Sequence, residues 1–199
     1  MLGLKLAVFW GELHMHQERG FTLVEMMIVV ALAGILAAIG IGMSTTVVRM
    51  SKGEAGAAQL DGFLKRHREM ALARRRDIEI HFDEPNQVRS VMRAGLGDAD
   101  DDPQQLEILT LEGGIEFRVF DGMPDTPNAF GNGADVTLGG AEPVMFASEG
   151  MFMDVAGNPV NATISLGIED DPLSAAAVTI LGTTATIERW RWNGSSWTR

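Results

Sequence analysis

The feature that most limits what this chain can fold into is an uninterrupted apolar segment near its N-terminus. Met26 to Met43 is a run of 18 residues without a charged side chain, and the wider segment 21–48 contains a single charge, Glu25. A helix that crosses a bilayer needs about 20 apolar residues, whereas a surface helix of a globular domain carries polar residues on one face. The run is too long for a cleaved secretory signal, and no small-x-small cleavage site follows it. The sequence therefore predicts a single transmembrane helix over 21–48.

Composition indicates what accompanies this helix. The 199 residues are 46% hydrophobic, which suits one globular domain in addition to one apolar helix. The chain has no cysteine, so disulfides, thiolate metal sites and cysteine nucleophiles are excluded. An exported domain of this size folds without disulfides, so the missing cysteines do not indicate the cytosol.

Charge is divided unevenly along the chain. Residues 49–76 carry eight basic side chains against three acidic ones, while residues 77–199 carry 21 acidic side chains against six arginines. An acidic domain repels nucleic acid and anionic lipid headgroups at long range. Basic residues flank the apolar run almost equally on its two sides, so they do not fix its orientation. We expect the acidic C-terminal part to be exported.

The residues after the apolar run predict a continuation of the helix over 49–76. A stripe of apolar residues recurs there at helical spacing, formed by Leu60, Phe63, Leu64, Met70 and Ala71. Gly53 and Gly56 are predicted to be weak points at which the helix bends or frays. His67 lies near the stripe and is predicted to be a partly buried helix residue, because no second histidine or carboxylate pair stands beside it at metal-ligand spacing.

From Asp77 onward the pattern changes to short alternating segments separated by turn residues, so 77–199 is predicted to be a β-rich domain. The predicted strands lie at 78–82, 87–93, 106–111, 115–120, 136–138, 144–147, 151–155, 162–168, 176–181 and 184–192. A long loop rich in Gly, Pro and Asn is predicted over about 121–134. The predicted fold class is α+β, with two stacked antiparallel sheets and the C-terminal half of the long helix packed on one of them.

The position of Glu25 needs a physical explanation. A carboxylate inside a membrane segment costs up to about 3 kcal/mol, and the nearest basic side chain, Arg19, lies on another face of the helix. If the chain is cut after Gly20, the new N-terminus at Phe21 carries a positive amine. In a bundle of similar helices, that amine can pair with Glu25 of the neighbouring chain. Small residues such as Ala31, Gly34 and Ala38 would allow these helices to approach closely.

The residues at this junction match a known signal. RGFTLVE at 19–25, followed by MMIVVALAGILAAI, resembles the class III signal of type IV prepilins and type II secretion pseudopilins. The resemblance implies cleavage between Gly20 and Phe21 by a prepilin peptidase and N-methylation of Phe21. It also implies that Glu25, with Thr22 beside it, serves assembly by pairing with a neighbour's amine.

The leader, residues 1–20, departs from the family pattern because it contains the apolar stretch LKLAVFWG. A start at Met15 would give MHQERG, a polar leader of six residues. We therefore expect Met15 to be the true start, with Met1 as the alternative.

The β-rich part also resembles one family. ALARRRDIEIHF, LEGGIEFRV, VMFASEGMFMDVAGNPVNATISLG and AAVTILGTTATIERWRW are similar to segments of the GspH/FimT soluble domain. This resemblance implies an H-type minor pseudopilin of a type II secretion system, held in the inner membrane by one span with its C-terminal domain in the periplasm. Implied partners are major and minor pseudopilins, prepilin peptidase, the inner-membrane assembly platform and secreted cargo. No cofactor and no enzymatic activity are expected.

Two alternatives remain open. The chain could be a type IV pilus minor pilin with a role in pilus assembly or DNA uptake, or an anchored binding module that never polymerises. Neighbouring genes for a secretin and other pseudopilins would favour secretion, whereas genes for retraction ATPases and a major pilin would favour a pilus.

Two other segments carry residue patterns that are found in binding sites. Asp98, Asp100 and Asp102 have the spacing of a calcium loop, but Pro103 and Leu109 replace the glycine and glutamate that such a loop requires, so a solvated acidic loop is predicted. The tail interleaves arginines with tryptophans, and weak nucleic-acid contact would involve Arg189, Arg191 and Arg199. A closing hairpin at Asn193–Gly194 with tryptophans packed across the strands explains the same residues more simply. DNA is therefore not expected as a partner.

Overall fold

The computed structural model describes residues 21–94 and 102–199, and side chains within them except those of 39–46. The chain divides into two compact units, residues 1–42 and 43–199. Within these described residues there is one helix, α1, which runs over Leu23–Arg74.

The C-terminal end of α1 is a Schellman motif built without glycine. Arg75 adopts a left-handed conformation with φ of 52°, and the backbone N–H of Arg76 donates to the carbonyl of Ala71 at 3.2 Å. This pattern satisfies one of the carbonyls that a helix end leaves free. The helix was predicted to continue to residue 76, and it ends two residues earlier because of this turn.

Eleven strands follow the helix in the described residues. They are β1 Ile78–Asp83, β2 Gln87–Met92, β3 Gln104–Thr110, β4 Glu116–Phe117, β5 Val136–Leu138, β6 Val144–Phe146, β7 Phe152–Met153, β8 Ala162–Ile168, β9 Asp171–Leu181, β10 Thr186–Trp192 and β11 Trp197–Thr198. All pairs between strands are antiparallel. The predicted α+β class with two antiparallel sheets is confirmed.

The strands form two sheets. Sheet 1 has the order β3-β2-β1-β6-β7, and sheet 2 has the order β11-β10-β9-β8-β4, with β5 also paired to β8. The order places the longest strand, β9, in the middle of sheet 2. β9 is buried on both faces over residues 174–180, which indicates that something covers each side of this sheet.

One face of sheet 2 belongs to the main core of the domain. Residues of α1, sheet 1 and sheet 2 share one apolar cluster, in which Leu60, Phe63, Ile80, Ile164 and Val178 are at most 1% exposed. The predicted stripe on the helix is confirmed, because Leu64 and Ala71 are also fully buried. Burying one large aliphatic side chain contributes about 1.5–3 kcal/mol, so this cluster is the main source of stability.

The helix does not fray at Gly53 and Gly56, so that part of the prediction was wrong. Both lie inside the continuous helix α1. A Cβ on Gly53 would lie 1.8 Å from the carbonyl oxygen of Ser174 in β9, and a Cβ on Gly56 would lie 2.9 Å from a methyl carbon of Ile115. These glycines are needed because the backbone of β9 lies too close to the helix at Gly53 and the side chain of Ile115 lies too close at Gly56.

Several strands differ in length from their predictions, and the largest differences are at β4 and β9. β4 has two residues instead of the predicted 115–120, because the backbone leaves the sheet after Phe117 to begin the long loop. β9 begins at Asp171, five residues before the predicted start. Asp170 has a φ of 58°, so the turn into β9 falls there, and Pro172 together with a run of alanines had concealed the strand.

Candidate functional site

The N-terminus of α1 is closed by a reciprocal pair of side chains. The Thr22 hydroxyl accepts a hydrogen bond from the Glu25 backbone N–H at 3.2 Å. The Glu25 carboxylate in turn accepts from the Thr22 backbone N–H at 3.0 Å and from the Thr22 hydroxyl at 3.1 Å. This is a capping box, with threonine as the N-cap and glutamate at the third helical position.

The capping box gives Glu25 a partner in its own chain, Thr22. The sequence analysis had considered only an amine of a neighbouring chain as the partner of Glu25. The signal was present, because T-x-x-E before an apolar run is the sequence pattern of a capping box. The hydrogen bonds from Thr22 both reach the same carboxylate oxygen, Oε2. They hold the carboxylate at the helix N-terminus, where the helix dipole favours a negative charge.

The helix that follows presents apolar side chains to its surroundings on every side. Between Phe21 and Leu36, the exposed large residues include Leu23 and Phe21 at 77%, Leu36 at 69% and Met27 at 65%. A helix that is apolar all round is stable only when other helices or lipid cover it. In the part of the chain described with side chains, however, no helix is long and apolar enough to cross a membrane. The predicted span 21–48 includes residues 39–46, whose side chains lie outside that description.

Several predicted site residues also lie outside the described residues. These are the leader 1–20, with Arg19, Gly20 and the alternative start Met15, and the first acids of the acidic loop, Asp98 and Asp100. Within 21–94 and 102–199, no group of three or more histidine or acidic side chains is arranged to hold a metal ion.

The three tail arginines each contact an acidic side chain of the same domain. Arg189 lies 3.5 Å from Asp61, and Arg191 lies 3.3 Å from Glu54, so two of them pair with α1. Arg199 lies 2.6 Å from Glu188 on the neighbouring strand. Their charges are therefore balanced internally, which weakens the attraction for phosphate that nucleic-acid contact would need.

The tail tryptophans pack within the fold. Trp192 and Trp197 face each other across β10 and β11 with ring centroids 5.4 Å apart, so the predicted hairpin and cross-strand packing are confirmed. Trp190 is 7% exposed, and its indole N–H donates to the Thr179 hydroxyl at 3.1 Å. Arg199 covers the Trp190 ring at 4.8 Å. Trp190 and Trp192 are buried in the fold, which removes them as stacking platforms for bases.

His67 joins α1 to sheet 1 through a buried chain of hydrogen bonds. Its Nδ1 lies 2.8 Å from the Phe63 carbonyl, and its Nε2 lies 2.8 Å from the Ser90 hydroxyl. A carbonyl only accepts, so Nδ1 carries the proton and Nε2 accepts from Ser90. His67 is fully buried, not partly buried as predicted. The arrangement of Ser90 and His67 resembles a nucleophile beside its catalytic base. It does not indicate catalysis, since both side chains are closed off from solvent.

Burial makes His67 a pH-sensitive element of stability. Desolvation lowers the pKa of His67 below 6.5, against the opposing effects of the Phe63 carbonyl and of Glu107. The unfolded chain therefore binds a proton that the folded chain excludes. Stability is fully present above pH 6.5 and falls as the pH drops toward the folded-state pKa, by at most about 1.4 kcal/mol per pH unit.

We expect this loss in urea unfolding curves of the wild type measured at about pH 7.5 and about pH 5.5. His67→Gln should lower stability at both values but should remove this part of the pH dependence. His81→Gln is the matched control and should keep it. Parallel losses in the wild type and in His67→Gln between the two pH values would contradict this assignment.

Residues 15–41 match the family described as the prokaryotic N-terminal methylation motif. The chain carries a prepilin-type signal. The matched residues include the predicted junction Gly20–Phe21 together with Thr22 and Glu25, and they end within α1. This match confirms the predicted kind of N-terminus, while cleavage and methylation at Phe21 stay predictions.

Among the solved structures that are similar to this chain, three share 14% to 15% identity with it. Two are of the minor pseudopilin EpsH from the type 2 secretion system of Vibrio cholerae. The first is 14% identical with a TM-score of 0.45, and the match covers 69% of this chain and 95% of the EpsH chain. The second is 15% identical with a TM-score of 0.44, and the match covers 70% of this chain and 93% of the EpsH chain. The third is the type IV minor pilin FimU of Pseudomonas aeruginosa, 14% identical with a TM-score of 0.45, covering 73% and 92%. No curated protein sequence is significantly similar to this chain.

Proposed function

We propose that this chain is a minor pseudopilin of a type II secretion system, a structural subunit without enzymatic activity. The observation that carries the proposal is the methylation motif at 15–41 on a long apolar helix. In this role the leader is removed after Gly20, Phe21 is methylated, and the segment 21–48 anchors the subunit in the inner membrane. The β domain then lies in the periplasm.

Assembly would use the apolar helix surface and the charge at Glu25. During assembly the helix moves from the membrane into a bundle of similar helices. There, neighbouring subunits cover the side chains that are exposed between Phe21 and Leu36. Glu25 Oε2 accepts hydrogen bonds from Thr22, whereas no described residue donates to the second oxygen, Oε1, so Oε1 can pair with the terminal amine of a neighbouring subunit. An ion pair in such a low-dielectric bundle is worth more than one at a protein surface.

Partners in this role are other pseudopilins, prepilin peptidase and the inner-membrane assembly platform, with secreted cargo as a further contact of the exposed domain. The alternative role in a type IV pilus with DNA uptake receives less support. Residues 77–199 are strongly acidic, and the tail arginines are paired with Asp61, Glu54 and Glu188. Both properties oppose binding of a polyanion.

The first test is processing. We expect the mature protein to begin with methylated Phe21, and Gly20→Val to leave nearly all of the protein uncut because the peptidase must accommodate that position. Mass spectrometry of the N-terminal peptide measures both outcomes. A native, unmethylated peptide that runs through Gly20 into Phe21 would overturn the proposal.

A matched experiment in cells separates secretion from pilus assembly. Deletion of the gene should reduce export of proteins to the medium and leave surface pili in place. Wild-type protein should restore export, and the uncut Gly20→Val variant should not. Normal export with loss of pili would instead favour the type IV pilus role.

A further inference from the structure

A cleft that we call the arginine cleft lies between α1 and β10. Its volume is about 510 Å³, and its walls are Glu54 and Ala57 of α1, residues 188–191 of β10, and Arg199. Three of the six arginines of residues 77–199 line this cleft, in a part of the chain that carries 21 acidic side chains. The proposed function does not use the cleft, so this concentration of positive charge needs a separate explanation.

The arginines of the cleft have more hydrogen-bond donors than their ion pairs use. Arg189 contacts Asp61 through Nε, and Arg191 contacts Glu54 through Nη1. A guanidinium group has five N–H donors, so further donors remain on each side chain. The two side chains are 47% and 42% exposed, and ion pairs as open as these contribute little to stability. The cleft can therefore take up another acceptor.

The edge of β10 adds donors from the backbone. Within residues 102–199, β11 pairs only with Arg191 and Trp192, so residues 186–190 of β10 have no strand on the side away from β9. Alternate N–H groups of such an edge point outward. An ionised carboxylate only accepts hydrogen bonds, and it would match both kinds of donor. The cleft therefore suits an extended acidic segment.

The chain itself contains a segment of this kind. Residues 98–102 read DADDD, with four carboxylates in five residues. Residues 95–101 lie outside the described residues, whereas Ala94 before them and Asp102 after them are described and exposed. The proposed function gives this acidic loop no role. Its negative charge complements the arginine cleft.

The acidic loop begins at the C-terminal end of α1. Ser90 of β2 contacts His67, and Met92 contacts Arg74, the last residue of the helix. β2 therefore runs in the same sense as α1 and reaches the end of the helix before the loop begins. The arginine cleft lies beside Glu54, which precedes Arg74 by 20 residues. That separation is about 30 Å along the axis of an α-helix.

The acidic loop of one copy cannot reach the cleft of the same copy. Asp98 follows Ala94 by four residues. Four residues span at most about 14 Å, even when fully extended. This reach is about half of the separation along the helix, and β2 leads the loop away from the cleft. The loop can meet only the cleft of another molecule.

We propose that residues 98–102 of one copy bind in the arginine cleft of a second copy. Their carboxylates accept hydrogen bonds from Arg189, Arg191 and the edge of β10. Each domain is acidic, but salt at physiological ionic strength screens charges beyond about 8 Å, so the groups in direct contact decide the outcome.

The contact joins two different surfaces, so it is heterologous. Contacts of this kind continue from copy to copy and build a filament when they do not close into a ring. Copies anchored in one membrane have parallel helices, and the second copy is then displaced along the helix direction. In this respect the inference rests on the proposed function as a filament subunit.

The first test measures binding of the loop. Full-length protein in phospholipid nanodiscs is titrated into a fluorescein-labelled peptide of residues 95–104, GLGDADDDPQ, and fluorescence anisotropy is recorded. We expect saturable binding that weakens as salt is added. The same peptide with asparagine in place of its aspartates should bind at least about 10-fold more weakly, because it lacks the charge.

Variants of the protein locate the binding site. The double variant Arg189→Gln/Arg191→Gln should bind the aspartate peptide at least about 10-fold more weakly. Arg89→Gln is the matched control, because Arg89 is 33% exposed and pairs with Asp83 on sheet 1, and it should bind as the wild type does. Circular dichroism confirms that each variant is folded. Equal binding of the aspartate and asparagine peptides, or equal binding by the wild type and the double variant, would overturn the proposal.

The second test asks whether the occupant is a second copy. The chain has no cysteine, so one engineered cysteine in each copy gives an unambiguous cross-link. Copies with Asp100→Cys are mixed in liposomes with copies that carry Ala58→Cys, an exposed position one helical turn after Glu54, and a short bismaleimide is added. We expect cross-linked heterodimers, which should be lost when the second copy also carries Arg189→Gln/Arg191→Gln.

Ala141→Cys, at an exposed position outside the cleft, is the control and should give no heterodimer above random encounter. Equal cross-linking at Ala58 and Ala141, or peptide binding without the cross-link at Ala58, would reject a second copy as the occupant. Neither test depends on cleavage after Gly20 or on export. A failed contact with normal processing and export would therefore reject this inference alone.

Discussion

Gly53→Ala is expected to destabilise the domain by about 3 kcal/mol or more, near the upper end of what overpacking costs. The added Cβ would lie 1.8 Å from the carbonyl oxygen and 2.8 Å from the carbonyl carbon of Ser174. These atoms belong to the backbone, so no side-chain rotation relieves the clash. The helix and β9 must separate, and the apolar cluster between them then loses contacts.

The backbone of Ser174 is poorly able to move away. Its hydroxyl donates to the Asp171 carbonyl at 2.6 Å and accepts from the Ile168 N–H at 2.7 Å. Both bonds tie this residue to the turn between β8 and β9. Thermal unfolding followed by circular dichroism should therefore show a melting temperature lower by roughly 6–12 °C, at about 2–4 °C per kcal/mol for a chain of this size.

Gly62→Ala on the same helix is the matched control. The nearest atom to its added Cβ is the Arg66 guanidinium nitrogen at 3.6 Å, an ordinary contact. Because alanine is a better helix former, this variant should gain up to about 1 kcal/mol. Equal losses in the two variants would show that helix propensity, and not the contact with Ser174, decides the effect.

The comparison of Gly53 with Gly62 also shows what sequence reasoning could and could not predict. Propensity treats every helical glycine as a weak point, and this led to the wrong prediction that the helix frays near Gly53 and Gly56. The real reason for these glycines is an approach between residues 53 and 174, which are far apart in the sequence. Such contacts depend on the tertiary fold, and no local pattern reports them.

Strands were predictable where the side chains alternate strongly. β1, with Ile78 and Ile80 turned inward, and β8 were predicted nearly to the residue. β9 was only half predicted, because both of its faces are covered and its sequence does not alternate. The second cover is the loop 118–134, whose contacts with Thr179 and Trp197 could not be predicted from its turn-rich composition.

The candidate site, like the strands, was predictable from the sequence only in part. The signal around Glu25 is local, so the sequence was sufficient to predict it and the match at 15–41 confirms it. The partners of Arg189, Arg191 and His67 lie on other elements, and only the fold brings them together.

Glu25→Gln is expected to reduce incorporation into the filament by at least about 10-fold, although the helix N-terminus stays intact. Glutamine at this position still completes a capping box with Thr22. What it lacks is the negative charge that would pair with a neighbour's terminal amine, and a lost charge-assisted contact in a low-dielectric bundle costs well over 1 kcal/mol. Crosslinking or filament purification followed by immunoblotting measures the incorporated fraction.

Thr22→Val is the matched variant because it makes the opposite change. It removes the hydroxyl that accepts the Glu25 N–H at 3.2 Å but keeps the carboxylate, so only the cap is lost. Loss of an N-cap costs about 1 kcal/mol, which predicts at most a few-fold decrease in incorporation. Both variants should still be cut between Gly20 and Phe21, as the mass of the N-terminal peptide will show.

The pair of variants distinguishes two explanations for the same carboxylate. If Glu25 serves assembly through its charge, Glu25→Gln fails and Thr22→Val assembles. If Glu25 serves only to close the helix, Thr22→Val lowers incorporation more than Glu25→Gln does, because the glutamine restores what a cap needs. The second result would remove the intermolecular ion pair from the proposal, since the hydrogen bonds within one subunit would then account for Glu25 completely.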